Sequence, residues 1–183
     1  YNLNVYCDIF DEASLAISRL LNPIGIKIHS TNIDDHYFLR LIAKSTNKVI
    51  LSSGGSFFDE IKDAVDIIID ANKEVDLILM TGIQNFPTSL SDTHLKRIFG
   101  MQEAFKGYEN NRYGLQDHIS GDDKMSFIVP FMARLMNYSL IEKHITIKRS
   151  DKEIDYYSSL NPGEFKILIN EWGKVSEIIE TDK

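Results

Sequence analysis

Short apolar runs alternate along the chain with longer segments whose apolar residues recur at helical spacing. The short runs predict strands at residues 3–8, 25–29, 49–51, 75–80, 113–115 and 140–141. The longer segments predict helices that end at residue 21 and residue 44, helices over residues 57–71, 92–105 and 124–136, and a last helix that begins near Pro162. The pattern therefore predicts six strand–helix repeats joined by short connections.

Strict alternation of strand and helix is typical of a parallel sheet with helices packed against it. Two architectures fit, a doubly wound open sheet and a (β/α)8 barrel. Polar residues that could act chemically follow nearly every predicted strand, and only a barrel brings all strand ends to one centre. The pattern therefore favours an α/β fold of the barrel type.

Two histidines each follow one of the last two predicted strands. His118 ends the stretch GLQDH, and His144 lies in LIEKHIT, with the helix over residues 124–136 between them. A strand–helix–strand unit of this length makes the two strands parallel neighbours, so both histidines lie at the same rim. They can converge on one ion or ligand, with Asp117 and Glu142 as groups that orient them. The alternative is that each histidine is only a hydrogen-bonded residue of the rim.

A turn of small residues, SSGGS at 52–56, joins the third strand to the next helix. Its free backbone amides at a helix N-terminus make it a candidate anion cradle. It lacks the lysine of a P-loop, and an ordinary tight strand-to-helix turn is the alternative interpretation.

Composition narrows the class of protein. The 183 residues are 43% hydrophobic and 26% charged, which fits one globular domain with a substantial core. The net charge of −7 and the absence of a basic, aromatic-rich stripe argue against a nucleic-acid partner. No apolar run approaches the roughly 20 residues of a membrane span, so no membrane association is expected. Cys7 is the only cysteine, which excludes an internal disulfide and favours a cytoplasmic location.

Five motifs, in order along almost the whole chain, resemble those of the sialic acid synthase family. They are ILSSGG at residues 50–55, QNFPT at 84–88, GLQDH at 114–118, IEKHIT at 141–146, and Asp155 followed by SLNP at 159–162. The family condenses phosphoenolpyruvate with an N-acetylated amino sugar at a divalent metal. The resemblance thus implies phosphoenolpyruvate and an amino sugar as substrates, and a cofactor that is Mn²⁺ or Mg²⁺.

The resemblance also implies an architecture. The family has a (β/α)8 barrel, and residues 1–183 are expected to form a single, incomplete barrel domain that supplies strands three to eight. The first two strands and the small antifreeze-like domain that follows the barrel in the family are expected to be missing. The full-length protein is expected to be a homodimer.

Site residues carry over position by position. His118 and His144 match the metal-ligating histidines, and Asp155 matches an aspartate near the sugar and the metal; these three are the expected catalytic residues. Lys27, Ser30 and Ser52 match residues that contact phosphoenolpyruvate. The full set of expected substrate-binding positions is Lys27, Ser30, Asn32, Ser52, Gln84, Phe86 and Gln116.

Four positions depart from the family pattern. Asn32 replaces a glutamate thought to help catalysis, and an amide cannot transfer a proton near neutral pH. Gln116 replaces a serine, Phe86 a tyrosine, and Asp8 a threonine, which adds a negative charge near an anion site. These departures predict a different substrate, a weakened activity or a lost one. A degenerate barrel that binds a phosphorylated sugar or a partner, and another metal-dependent aldolase or isomerase, are the alternatives.

Overall fold

The computed structural model of the protein describes residues 3–108 and 112–180. Strands and helices alternate throughout this part of the chain. They are β1 Tyr6–Ile9, α1 Glu12–Ser18, β2 Gly25–Ile28, α2 His36–Ser45, β3 Lys48–Ser52, α3 Phe58–Ala71, β4 Asp76–Thr81, α4 Arg97–Ala104, β5 Arg112–Asp117, α5 Met125–Leu135, β6 Leu140–Lys143 and α6 Pro162–Glu180. The predicted alternation and the parallel α/β class are confirmed.

One compact unit comprises Tyr1–Thr81 and Arg97–Tyr113. Its strands β1, β2, β3 and β4 pair in parallel in chain order, with Ile26 opposite Val49 and Val49 opposite Leu77. The strands β2 to β4 are almost wholly buried because helices cover them, which explains why they read as continuous apolar runs. The core of this unit includes Leu39, Ile42, Leu51, Ile61, Ile68, Leu77 and Phe105.

The second unit comprises Gly82–Lys96 and Gly114–Lys183. Its strands β5 and β6 are parallel, with Gln116 opposite Glu142 and Asp117 opposite Lys143. Helix α5 joins them, so the predicted strand–helix–strand unit is confirmed. An isolated parallel bridge between Ile145 and Leu160 adds a pairing that the sequence did not predict.

Two elements begin three or more residues away from their predicted starts. The first strand begins at Tyr6 instead of residue 3. The helix predicted from residue 92 begins at Arg97, because a one-turn 3-10 helix occupies Leu90–Asp92 and His94 has a left-handed backbone with φ +45°. Asp35 caps the start of α2, where its side chain accepts a hydrogen bond from the Phe38 amide at 2.9 Å. No helix in residues 3–108 and 112–180 is long and apolar enough to span a membrane.

Candidate active site

His118 follows β5 and is almost wholly buried, at 1% exposure. Its Nδ1 lies 3.0 Å from the carbonyl oxygen of Ile83. A carbonyl can only accept, so Nδ1 carries a proton, and in the neutral form of this ring Nε2 has the lone pair with which a histidine binds a metal. The His118 carbonyl in turn accepts from the Thr88 amide and the Ser158 hydroxyl, both at 2.9 Å. The ring is therefore held through Nδ1, and the backbone of the same residue is held through its carbonyl oxygen.

Glu142 lies on β6, and His144 follows that strand directly. Residues two apart on an extended chain point to the same side, so the carboxylate and the imidazole share a face. One ligand atom from each of His118, Glu142 and His144 lies within 4.8 Å of the other two. The two predicted histidines therefore converge, and Glu142, predicted only to orient them, joins them as a third donor.

The aromatic ring of Phe86 packs against both imidazoles. Its centroid is 4.4 Å from that of His118 and 5.3 Å from that of His144, while the two imidazole centroids are 5.1 Å apart. Gln116 is 2% exposed, and its Nε2 donates to Oε1 of Glu142 at 3.2 Å. Gln116 therefore has a contact with the third donor in addition to any predicted contact with substrate.

Asp155 is the other predicted residue of this group. Its Oδ2 lies 3.6 Å from Nδ1 of His144, and its backbone is left-handed with φ +57°. This distance is too long for a direct hydrogen bond but is close enough for an electrostatic contact. A carboxylate facing the second nitrogen of a ligating histidine is the usual way in which such a ring is oriented.

Asp117 has a different role from the one predicted. Its Oδ2 lies 3.1 Å from Nζ of Lys143, its Oδ1 accepts from the Ile119 amide at 2.9 Å, and the two charged side chains are 0% and 1% exposed. Because neighbouring strand residues point to opposite faces, Asp117 points away from the face that carries His118. Burial raises the pKa of Asp117 and lowers the pKa of Lys143, while their mutual attraction opposes both shifts. The prediction that Asp117 orients a histidine is therefore wrong.

The predicted phosphate-contacting residues lie in the first unit. Nζ of Lys27 forms an ion pair with Oδ2 of Asp8 at 2.9 Å, so the predicted negative charge is in direct contact with the lysine. Asn32 donates from Nδ2 to the Phe10 carbonyl at 3.2 Å, a bond that a carboxylate could not make. Ser30 begins a one-turn 3-10 helix, and Ser52 is fully buried at the end of β3. Their binding of phosphate stays a prediction.

The turn of small residues before α3 is held by a contact that the sequence did not reveal. Nη2 of Arg97 donates to the Ser56 carbonyl at 2.6 Å, and its guanidinium lies 5.0 Å from the centre of the Phe58 ring. Gly55 has φ +82°, a backbone conformation that residues other than glycine adopt only at an energetic cost. The Ser53 amide donates to the Met80 carbonyl at 3.0 Å and the Ser56 amide donates to the Ser53 carbonyl at 3.2 Å, so the prediction of free backbone amides is wrong at these two positions.

Comparison with known proteins now decides the family. A model described as the NeuB family matches residues 1–183. The chain belongs to the NeuB family. It is 31% identical over 161 residues to a pseudaminic acid synthase from Campylobacter jejuni, covering 88% of this chain and 44% of that protein. It is 30% identical over 156 residues to an N,N'-diacetyllegionaminic acid synthase from the same organism, covering 81% of this chain and 43% of that protein.

Solved structures agree with the family assignment. The N-acetylneuraminic acid (sialic acid) synthetase from Leptospira borgpetersenii has a TM-score of 0.85 and 27% identity, covering all of this chain and 60% of that one. A DAHP synthase from Thermotoga maritima, at 17% identity and a TM-score of 0.77, shares the fold alone. The NeuB-family chain spans less than half the length of the curated relatives it matches. Its numbering as strands three to eight of a barrel stays a prediction.

The donor set in this NeuB-family chain fits a divalent first-row metal. Two imidazoles and one carboxylate are typical ligands for such ions, and the contact of His118 Nδ1 with the Ile83 carbonyl makes Nε2 the nitrogen that would bind the metal. Sequence reasoning missed Glu142 as a donor although the signal was present. Its position two residues before His144 on a strand already placed it on the same face.

Proposed function

We propose that this NeuB-family chain holds a divalent cation through His118, Glu142 and His144 and contributes to a synthase. The reaction would join phosphoenolpyruvate to the open-chain form of an N-acetylated amino sugar. The observation that supports this is the convergence of three donor atoms within 4.8 Å at the ends of β5 and β6, within the motifs GLQDH and IEKHIT. The names of the relatives, which are synthases of pseudaminic and legionaminic acids, support the same substrate class.

The donor set favours Mn²⁺ over Mg²⁺. Magnesium prefers all-oxygen ligands and keeps several waters, whereas imidazole suits the softer first-row ions. When bound, the cation would supply a Lewis acid that polarises the aldehyde oxygen of the acceptor.

The reaction would make one carbon–carbon bond and release phosphate. The methylene carbon of phosphoenolpyruvate forms the new bond with the aldehyde carbon, water adds at the carbon that carries the phosphate ester, and inorganic phosphate leaves. The ring of Phe86 would shield the imidazoles from bulk water on one side. Asp155 would hold the His144 ring, and Gln116 would hold the Glu142 carboxylate.

Lys27, Ser30 and Ser52 are the proposed contacts for the phosphate group. Asp8 already neutralises part of the charge on Lys27, because their side chains are 2.9 Å apart. The proposal therefore expects weak phosphate binding that improves when the carboxylate is removed. Asp8→Asn should raise the affinity for phosphoenolpyruvate, and Lys27→Ala should lower it, as measured by calorimetric titration of both variants.

A metal titration tests the central claim. We expect one Mn²⁺ ion to bind per chain. Binding is measured as the decrease of the electron paramagnetic resonance signal of free Mn²⁺. His118→Ala and His144→Ala should weaken that binding by more than about tenfold, since each removes a ligand. His36→Ala is the matched control, because this exposed histidine begins α2 in the other unit. Equal Mn²⁺ affinity in wild type and both ligand variants would overturn the proposal.

A turnover assay tests the reaction. In the full-length protein, Mn²⁺-dependent release of phosphate from phosphoenolpyruvate should require an N-acetylated amino sugar and should be lost in His144→Ala. With residues 1–183 alone we expect no turnover of N-acetylmannosamine, because Asn32 cannot replace a proton-transferring glutamate. Robust turnover by these residues would refute that interpretation of Asn32.

A further inference from the structure

Arg149 begins a one-turn 3-10 helix in the loop that follows β6, and its side chain is only 12% exposed. All three nitrogens of its guanidinium donate hydrogen bonds. Nε and Nη2 donate to Oδ1 of Asp122 at 3.0 and 2.7 Å. Nη1 and Nη2 donate to the two carboxylate oxygens of Glu164 at 2.7 and 2.9 Å. Nη1 also donates to the Ser159 carbonyl at 2.8 Å. The fork geometry of arginine is therefore fully used.

These partners come from three different segments of the second unit. Asp122 follows β5, Ser159 lies at the far end of the loop, and Glu164 lies in the first turn of α6. The pKa of Glu164 is lowered, chiefly by its hydrogen bond to Arg149. Backbone amides belong to the same hydrogen-bond network. The Arg149 amide donates to Oδ1 of Asn161 at 2.8 Å, and the Asn161 amide donates to Oε2 of Glu164 at 2.7 Å. Both ends of the loop over residues 149–161 are thus fastened to each other.

This fastened loop carries Asp155. The Ser158 amide and the Ser159 hydroxyl both donate to the Asp155 carbonyl at 3.0 Å, which supports its left-handed backbone. A residue in that conformation persists when its surroundings over-determine it. The Ser158 hydroxyl also donates to the His118 carbonyl, so the loop is tied to one candidate ligand and faces the other, His144.

The packing under the guanidinium has no spare room. A Cβ atom on Gly121 would lie 2.1 Å from the Ser159 carbonyl oxygen and 2.8 Å from Nη1 of Arg149. The Gly121 amide donates to the Tyr157 carbonyl at 2.7 Å. A shorter or differently shaped side chain at position 149 would therefore leave both the loop and the turn after His118 without their common support.

We propose that Arg149 is a positioning residue for the metal site, which keeps the loop in the conformation that aims the Asp155 carboxylate at Nδ1 of His144. This inference rests on the proposed function, because it takes His144 as a ligand. Within residues 3–108 and 112–180, Arg149 makes no hydrogen bond or ion pair with His118, Glu142 or His144. Its effect passes through Asp155, which orients the imidazole and strengthens it as a ligand.

The test is a Mn²⁺ titration of folded protein, with folding checked by circular dichroism. We expect Arg149→Met to lower the Mn²⁺ affinity by about tenfold, the lower end of the range for groups that orient a ligand. Arg149→Lys should have an intermediate effect, since an ammonium keeps the charge but not the fork. Arg112→Met is the matched control, because Arg112 makes a bidentate pair with Asp76 in the other unit and its loss should leave the affinity unchanged.

A second background separates positioning from general destabilisation. When Asp155→Ala is already present, Arg149→Met should change the Mn²⁺ affinity by less than about twofold, because the group through which it acts is gone. If Arg149→Met does not fold, Asp122→Asn takes its place, since it weakens one partner and keeps the pair with Glu164; a loss of about threefold is then expected.

Each outcome has a separate meaning. Absence of Mn²⁺ binding by the wild type would refute both the proposed function and this inference. Tight binding by wild type and an equal affinity in Arg149→Met would leave the proposed function standing and refute the positioning role. A full additional loss in the Asp155→Ala background would show that Arg149 does not act through Asp155.

Discussion

Removing the ammonium group of Lys143 should destabilise the second unit by about 3–5 kcal/mol, the cost of breaking a buried ion pair. The scale follows from the geometry, because Nζ of Lys143 is 3.1 Å from Oδ2 of Asp117 and 3.1 Å from the Ile119 carbonyl, and neither charged side chain is more than 1% exposed. Two unit charges at that separation attract by about 5 kcal/mol at an effective dielectric constant near 20. The variant Lys143→Met keeps the length of the side chain and leaves the carboxylate buried without its counter-ion.

The partner substitution completes a double-mutant cycle. Asp117→Asn keeps the oxygen that accepts from the Ile119 amide and removes only the charge, so its cost should also be about 3–5 kcal/mol. The double variant buries no charge and should cost about 1–3 kcal/mol, from hydrogen bonds that it cannot replace. If the two substitutions were additive, the double variant would instead lose about 6–10 kcal/mol, and urea denaturation distinguishes this loss from one of about 1–3 kcal/mol.

The assay is urea denaturation followed by the fluorescence of Trp172, the only tryptophan, which lies on α6 of the same unit. Lys174→Met is the matched control, because its pair with Glu171 is exposed and such pairs contribute at most about 1 kcal/mol. A double variant as unstable as the sum of the two single variants would refute the reasoning that the two charges stabilise each other.

The two single variants should respond to pH in opposite directions. Burial raises the pKa of Asp117, so its contribution to stability is present below the unfolded pKa and is lost as the pH rises through the folded pKa. Without Lys143 that pKa rises further, and the deficit of Lys143→Met relative to wild type should shrink as the pH falls. Burial lowers the pKa of Lys143, so the deficit of Asp117→Asn should shrink as the pH rises toward the unfolded lysine value. Deficits that do not vary with pH would contradict the assignment of both charges.

Two further predictions concern the backbone and the acid limb of stability. Gly82→Ala should lower the free energy of unfolding by more than about 2 kcal/mol, because φ is +132° and the new Cβ would lie 2.4 Å from the Gln116 carbonyl oxygen. Gly55→Ala has open space around it and should lower that free energy by only about 1 kcal/mol. Urea denaturation monitored by circular dichroism measures both. Arg149 lowers the pKa of Glu164, so that stabilisation is present above the unfolded pKa and is lost as the pH falls through the folded one. The melting temperature of Glu164→Gln should therefore approach that of wild type between about pH 5 and pH 3, and a constant gap would contradict it.

The elements could be predicted from sequence because their signals are local. Strands such as Asp76–Thr81 are buried on both faces, so a run of apolar residues marks each one, and the helices between them keep one apolar stripe. The start of α4 could not be located this way. The preceding residues 92–96 contain no proline or glycine that would end a helix, but a left-handed His94 interrupts them, and nothing local in the sequence requires that conformation.

The site was predictable where strand position decides it and unpredictable where side chains meet over long distances. His118 and His144 followed from their places at two adjacent strand ends. The contacts of Arg149 join three segments, and the clamp of Arg97 on Ser56 spans 41 positions of the chain. Such pairs depend on the packed structure, and a single sequence carries no mark of which arginine will find which carboxylate.

The buried pair and the candidate ligands depend on the same register of two strands. In the observed pairing Gln116 is opposite Glu142 on one face, and Asp117 is opposite Lys143 on the other. A slip of one residue would turn every side chain of β6 to the other face, leaving Lys143 among the candidate ligands and Glu142 in the buried layer. That arrangement would separate the buried charges and cost about 3–5 kcal/mol, so it is strongly disfavoured. The ion pair that contributes nothing directly to chemistry therefore fixes the register that brings His118, Glu142 and His144 together.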